Sequence, residues 1–197
     1  MTDVAAEMLW IDLETTGLEA DKDVPLEVGM AITDRWGSVV DEAKCLVWES
    51  STDFQRGVIR GKDNSIVDEM HTKSGLWEDL QTFNTFDRTN AEDFFCGWLD
   101  RHNIKAGTLP MCGNSIGSLD RPFVQHHFPK LNRHFHYRNI DISSFKEVCK
   151  MVNPTLFKNL EPIIGTKADA THRVLDDVAA SIKEYRAYLD NFLFVAE

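Results

Sequence analysis

The chain has 197 residues, 43% of them hydrophobic and 27% charged, enough to bury one substantial core, so a single globular domain is expected. Its net charge of −11 counts against gripping a long nucleic acid, since phosphate contacts supply most of that affinity and need a basic face. Any nucleic-acid substrate is then expected to be short and to be met through cations.

No apolar run approaches the roughly 18 residues of a membrane span. Met1 to Glu7 is acidic and lacks the basic start and apolar stretch of a signal peptide, so no membrane association and a cytoplasmic location are expected. Cys45, Cys96, Cys112 and Cys149 are scattered, with no Cys-x-x-Cys pair. That spacing argues against a disulfide framework or a zinc knuckle and favours buried free thiols.

In chain order, residues 8–14 (MLWIDLE) read as a strand, with Leu9, Ile11 and Leu13 on one face and Trp10, Asp12 and Glu14 on the other. Residues 26–34 and 38–48 read as two further strands, antiparallel across a turn at Asp34 to Gly37. From Ser50 to about Asn90 the chain is polar, with short helices and loops. Residues 91–102 have helical apolar spacing through Phe94, Phe95, Trp98 and Leu99. A short strand over Leu109 to Cys112 precedes a helix near 120–128, a strand near 137–142 and a helix near 143–151 that stops before Pro154. In the last helix Val174, Val178, Ile182, Tyr185, Leu189 and Phe192 form one stripe. Three strands followed by alternating helices and strands predict an α/β fold, a mixed sheet covered by helices.

Asp12 and Glu14, two apart on a strand, leave the same face. Paired carboxylates repel when ionised and are costly to bury unpaired; a hard divalent cation such as Mg²⁺ or Mn²⁺ removes the conflict. The plainer alternative is a solvated face. On the last helix, at about 100° per residue, Asp176 lies nearly opposite the apolar stripe, whereas Asp177 falls roughly 95° from its centre, at the edge of a cleft. His172 lies at the helix entry, where Thr171 is placed to cap; taken singly it also reads as an ordinary surface histidine. Asp120 opens a helix, and taken singly it reads as an aspartate that favours the helix dipole.

Together these residues are more specific. Trp10-Ile11-Asp12-Leu13-Glu14-Thr15-Thr16-Gly17-Leu18, Cys112-Gly113-Asn114-Ser115-Ile116-Gly117, His136-Tyr137-Arg138-Asn139-Ile140-Asp141-Ile142-Ser143 and His172-Arg173-Val174-Leu175-Asp176-Asp177 closely resemble the oligoribonuclease family. That family belongs to the histidine-bearing branch of the 3′→5′ exonuclease superfamily named for four acidic residues. Met70-His71-Thr72-Lys73-Ser74-Gly75-Leu76 matches a further family segment, and the similarity runs in order over residues 8–190.

The resemblance implies a ribonuclease-H-like fold, a homodimer and two divalent cations. It also implies release of 5′-mononucleotides from the 3′ end of short RNA, roughly two to five nucleotides long and dinucleotides above all. Asp12, Glu14, Asp120 and Asp177 match the metal ligands and His172 the general base. Leu18 matches a wedge between two bases, and Ser115, Arg138 and Ser143 match groups that cap the 5′-phosphate. His71 matches a residue supplied by the partner subunit, and Tyr137 one near the dimer contact; a packed core tyrosine is the other reading for Tyr137.

Two departures stand out. Asn114 precedes Asp120 by six residues where the family has five, so the loop must bulge around Ser118 or Leu119. Ile66 stands where the family has an aromatic stacking partner; the missing ring, worth about 1–3 kcal/mol in such contacts, predicts a looser dinucleotide preference.

His126-His127 and His134-Phe135-His136 are read as surface histidines rather than a metal cluster, for want of cysteines or ligand spacing nearby. Two rival functions remain: a superfamily exonuclease acting on longer DNA or RNA ends, and a non-catalytic module that binds short nucleotides.

Overall fold

The computed structural model describes residues 6–48, 65–165 and 171–193. The stretch 49–64, part of the polar segment after Ser50, and the starting residues 1–5 lie outside the described residues.

Five strands form one mixed sheet: β1 (Met8–Thr15), β2 (Pro25–Thr33), β3 (Val39–Leu46), β4 (Leu109–Gly113) and β5 (Phe135–Asp141), in the order β3-β2-β1-β4-β5. β1–β2 and β2–β3 pair antiparallel, while β1–β4 and β4–β5 pair parallel. The parallel pairs need long crossovers, which helices supply. In chain order these are α1 (Ser65–Lys73), α2 (Leu76–Thr82), α3 (Arg88–Arg101), α4 (Asp120–His127), α5 (Pro129–His134), α6 (Ile142–Val152), α7 (Pro154–Ile164) and α8 (Val174–Tyr188). The fold is therefore α/β with helices on both faces, as the ribonuclease-H-like expectation required.

The alternation on β1 feeds two cores. Leu9, Ile11 and Leu13 pack with Val28, Met30 and Ile32 under Phe95, Leu99 and Phe123. On the other face Trp10, Ala31 and Cys112 pack under Ile142, Leu160, Val178, Ile182 and Tyr188. Trp10 is anchored there by a 2.8 Å bond from its indole N–H to Thr33 Oγ1. Both faces of this central strand are covered, so Asp12 and Glu14 share a face with a tryptophan, Glu14 buried and Asp12 partly so.

Several boundaries move for identifiable reasons. α3 begins three residues earlier than its apolar spacing suggests, because the Asp87 side chain caps it by accepting from the Asn90 N–H at 2.8 Å. Pro154 does not merely end a helix. It opens α7 at the first turn, where a missing N–H costs nothing, and Asn153 caps it on the Leu156 N–H. Neither α7 nor the short α5 was expected. α8 ends at Tyr188 and continues as a π-helical turn, Leu189–Leu193, so the terminal stripe changes phase there. Three of the cysteines are buried, Cys96 is partly so, and all four are free thiols. Among the described residues no helix is long and apolar enough to cross a membrane.

Gly29 sets how close α8 comes. It pairs with Asp12 across β1–β2, and a Cβ there would lie 2.6 Å from Val174 Cγ2. The missing side chain lets the first turn of α8 rest on β2 directly beside Asp12.

Candidate active site

Three segments converge at one end of β1. The strand carries Asp12 and Glu14, the entry to α8 carries His172 and Asp177, and the first residue of α4 is Asp120. Single ligand atoms of Glu14, His172 and Asp177 all lie within 4.8 Å of one another. The charge of Asp177 opposes the ionisation of Asp12, and the charge of Asp12 opposes that of Asp120. On α8, Asp177 is half-buried while Asp176 is exposed, as the helical geometry predicted. Thr171 does not cap the helix. Its hydroxyl donates to Asp176 Oδ2 at 3.1 Å, and α8 has no side-chain cap. The reason is backbone geometry: His172 sits at φ 55°, a left-handed turn that carries Thr171 away from the helix N–H groups. A non-glycine residue held there stores strain of the kind concentrated at functional positions.

The extra residue before Asp120 is absorbed in the loop. Ser115 adopts φ 57° and its carbonyl accepts from both Ser118 N–H and Leu119 N–H. That closes a turn ahead of α4 and leaves the Asp120 carboxyl buried, 1% exposed, accepting from the Leu13 backbone. Its Oδ1 has no hydrogen-bond partner. A buried carboxylate oxygen without a partner, beside a second carboxylate, is what a cation ligand looks like. The all-oxygen donor set of Asp12, Glu14, Asp120 and Asp177 fits a hard divalent cation.

The electrostatics carry the same signature. Burial, followed by Asp12, Asp177 and Glu27, pushes Glu14 up to about 9. Burial and then Asp177 and Glu27 raise Asp12, burial and then Asp12 raise Asp120, and burial raises Asp177. A carboxyl with a raised pKa binds its proton more tightly folded than unfolded, so this contribution favours folding at low pH. It is lost as pH climbs from the ordinary carboxylate range through the raised values. The melting temperature of the protein in EDTA is therefore expected to fall between about pH 5.5 and 8.5. Excess Mg²⁺ or Mn²⁺ should raise it more at the alkaline end, since cations bind the ionised set. Thermal melts across that range check this; a melting temperature in EDTA that rises with pH would contradict the crowding of these carboxylates.

His71 departs from the partner-subunit expectation. It is fully buried in its own chain, packed edge-on against Trp77 at 5.4 Å between ring centroids. Nε2 donates to Thr15 O at 2.8 Å, which leaves the unpartnered Nδ1 facing Glu14 Oε2 at 3.7 Å. Burial lowers its pKa, so the ring is a neutral wall behind Glu14. A side chain enclosed this way is not available at the surface for a second subunit.

Leu18, Ile66 and Tyr137 are 75%, 77% and 74% exposed, which rules out the core reading of Tyr137. Leu18 sits on the loop that follows β1. Ile66 lies on α1, roughly 140° around the helix from His71. Arg138 is exposed, its guanidinium 4.9 Å from the Tyr137 ring, and it makes no ion pair among the described residues. Ser115 and Ser143 meet at the Asp141 carboxylate. Oδ1 accepts from Ser115 N–H at 3.1 Å, from Ser143 N–H at 3.1 Å and from the Ser143 hydroxyl.

His127 is also corrected. It is buried, with Nε2 donating to Asp23 O at 2.9 Å and Nδ1 accepting from Arg88 at 3.1 Å. It ties α4 to the loop that bears Leu18.

Two residues given no role by the sequence matter most here. Glu27, the one charge in the apolar strand β2, is fully buried and pairs with Glu14 across β1–β2. Arg173, next to His172, grips it through Nε to Oε2 and Nη2 to Oε1, both at 3.0 Å. Nη2 also reaches Asp79 Oδ2 at 2.7 Å. A lone acid within a buried strand was the available signal.

A mixed sheet of this order gathers carboxylates and a histidine at one strand end, where Glu14, His172 and Asp177 could hold a metal ion. Residues 9–185 match the family model RNase_T, described as Exonuclease. The chain is 36% identical over 188 residues to an oligoribonuclease of Chromobacterium violaceum, covering 95% of this chain and 96% of that one. It is 34% identical to those of Aromatoleum aromaticum, covering 94% of each chain, and Nitrosomonas europaea, covering 92% of each. Among solved structures, an E. coli exonuclease I–single-stranded DNA complex superposes with TM-score 0.66 at 14% identity, over 96% of this chain and 42% of that one. Exonuclease I of Methylocaldum szegediense gives TM-score 0.62 at 13% identity, with 96% and 41% covered. The chain thus spans about two fifths of those solved chains, and the likeness shows the fold. The chain belongs to the exonuclease family and, within it, to the oligoribonucleases.

Proposed function

We propose that this chain, a 3′→5′ exoribonuclease of short oligonucleotides, works with two divalent cations held by Asp12, Glu14, Asp120 and Asp177, and that dinucleotides are its preferred substrate. When bound, the cations supply electrophilic polarisation of the scissile phosphate and neutralise its developing charge. The chain's own residues do the rest. Asp12 and Glu14 from one strand and Asp120 and Asp177 from two helix starts set the spacing of the cations. His172, within reach of Glu14 and Asp177, accepts the proton of the attacking water, the general-base role that an imidazole most often fills. His71 seals the back of Glu14 against water.

At the other end of the substrate, Arg138 offers a planar fork to a 5′-phosphate, with Ser115, Ser143 and Tyr137 around it. The exposed Leu18 is the wedge between the two bases. Ile66, aliphatic where a ring would stack, relaxes the length preference without abolishing it. A capped 5′ end leaves no path for a longer strand, in keeping with the net charge of −11. The family resemblance supports a homodimer in the cytoplasm, and Mg²⁺ or Mn²⁺ as the cation.

The observation that carries this reading is the meeting of Glu14, His172 and Asp177 within 4.8 Å, beside the unpartnered Asp120 Oδ1. The test is hydrolysis of a 5′-phosphorylated diribonucleotide against a strand of about twenty nucleotides, with and without EDTA. Fast, EDTA-sensitive release of mononucleotides from the dinucleotide is expected. Equal turnover of both lengths would overturn the short-substrate reading, and activity that survives EDTA would overturn the metal site.

A further inference from the structure

The cap groups of the 5′ end do not stand free. The loop 113–119 that bears Ser115 follows β4, and Ser143 lies in the first turn of α6; the two segments are far apart in sequence. The Asp141 carboxylate is their common anchor. Its Oδ1 takes Ser115 N–H, Ser143 N–H and the Ser143 hydroxyl, and its Oδ2 takes Gly117 N–H at 3.1 Å. Ser115 N–H also reaches Ser143 Oγ, at 3.2 Å. Four donors from two segments thus close on one side chain at the end of β5, three residues beyond Arg138. The same loop runs directly into Asp120, with Ser115 at φ 57°, a conformation that needs such outside support. With its hydroxyl spent on Asp141, Ser143 belongs to the frame, and Arg138 and the Ser115 hydroxyl remain to meet the phosphate.

We propose that Asp141 is a specificity-determining positioning residue, whose carboxylate binds loop 113–119 to the start of α6 and so shapes the 5′-phosphate cap. This rests on the reading of that end of the site as a phosphate cap. Asp141 touches no reacting atom. It acts through Ser115 and Ser143, so its loss should misplace the cap while the chemistry at Asp12, Glu14 and His172 continues.

The experiment compares a diribonucleotide with and without its 5′-phosphate, in the wild type, Asp141→Ala and Asp141→Asn. Asp141→Ala is expected to raise KM for the phosphorylated substrate by about 10-fold or more, with kcat within about two-fold, since displacements of about 1 Å at a remote contact cost up to about 10²-fold. Turnover of the 5′-hydroxyl substrate should barely change. Asp141→Asn keeps an oxygen for the three donors on Oδ1 and loses the acceptor for Gly117, so it should recover most of the preference. It also guards against a misfolded alanine variant.

Equal losses on both substrates in Asp141→Asn would make the residue a general support and overturn the proposal. A lower KM on removal of the charge would show simple repulsion of the phosphate, and would overturn it too. A wild-type preference that survives in Asp141→Ala would sink the role of Asp141 while leaving the cap intact. A wild type indifferent to the 5′-phosphate would sink the cap reading itself, and this proposal with it.

Discussion

Asp12→Asn is expected to abolish hydrolysis of the dinucleotide while leaving the cation-free protein as stable as the wild type, or more so. The loss of activity should reach at least about 10²–10³-fold, the scale on which a single preorganised electrostatic group contributes. Asp12 is opposed by the charges of Asp177 and Glu27 and in turn opposes that of Asp120, so it is coupled to both helix-borne aspartates of the set that would hold a cation. Stability moves the other way for the same reason. A group held far above its ordinary pKa by burial and like charges costs folding free energy at neutral pH, and a neutral isostere removes that cost. Opposite signs of activity and stability mark a site that carries strain for function. Parallel measurement of kcat and of melting temperature in EDTA checks both. Retained activity would mean the reaction centre lies elsewhere, and a large drop in melting temperature would mean that Asp12 is a structural group.

Arg173→Met is expected to be the most destabilising change near the site that removes no candidate ligand. Glu27 is fully buried, and the bidentate Arg173 fork is its principal counter-charge; Lys44 lies farther off, at 3.4 Å. Removing one partner of a buried pair leaves an uncompensated charge, at a cost of about 3–5 kcal/mol. At roughly 2–4 °C per kcal/mol for a chain of this size, the melting temperature should drop by about 6–20 °C. The lower end is favoured because the arginine side chain is 20% exposed. The freed Glu27 charge would bear on Asp12 and Glu14 as well, so adding Asp12→Asn to Arg173→Met should recover part of the loss. Additive effects in that double-mutant cycle would disprove the coupling. Activity should fall alongside, because Arg173 holds the turn that presents His172.

The candidate site was legible in the sequence to different depths. Asp12 and Glu14 followed from strand alternation, and the choice of Asp177 over Asp176 from helical phase, because both periodicities are properties of a short local segment. Asp120 was legible only through its place in a motif; the six-residue spacing made it look displaced, and a turn at Ser115 shows how the extra residue is taken up. The burial of His71 and His127 was not legible because it involves neighbours such as Trp77 and Arg88, which arrive from other elements. Glu27, Arg173 and Asp141 passed without a role because each acts by pairing across chain separations that no local pattern records.

Local rules thus reached the α/β class, the order of the main elements and the acidic residues and histidine that the fold gathers at one strand end, since propensity and hydrophobic period act over a few neighbours. Folding in three dimensions settled which groups are buried, what each is bonded to and how far its proton affinity is displaced. Those properties depend on desolvation and on charges brought from distant stretches, as when β2 places Glu27 beside Glu14 and Gly29 lets α8 rest beside Asp12.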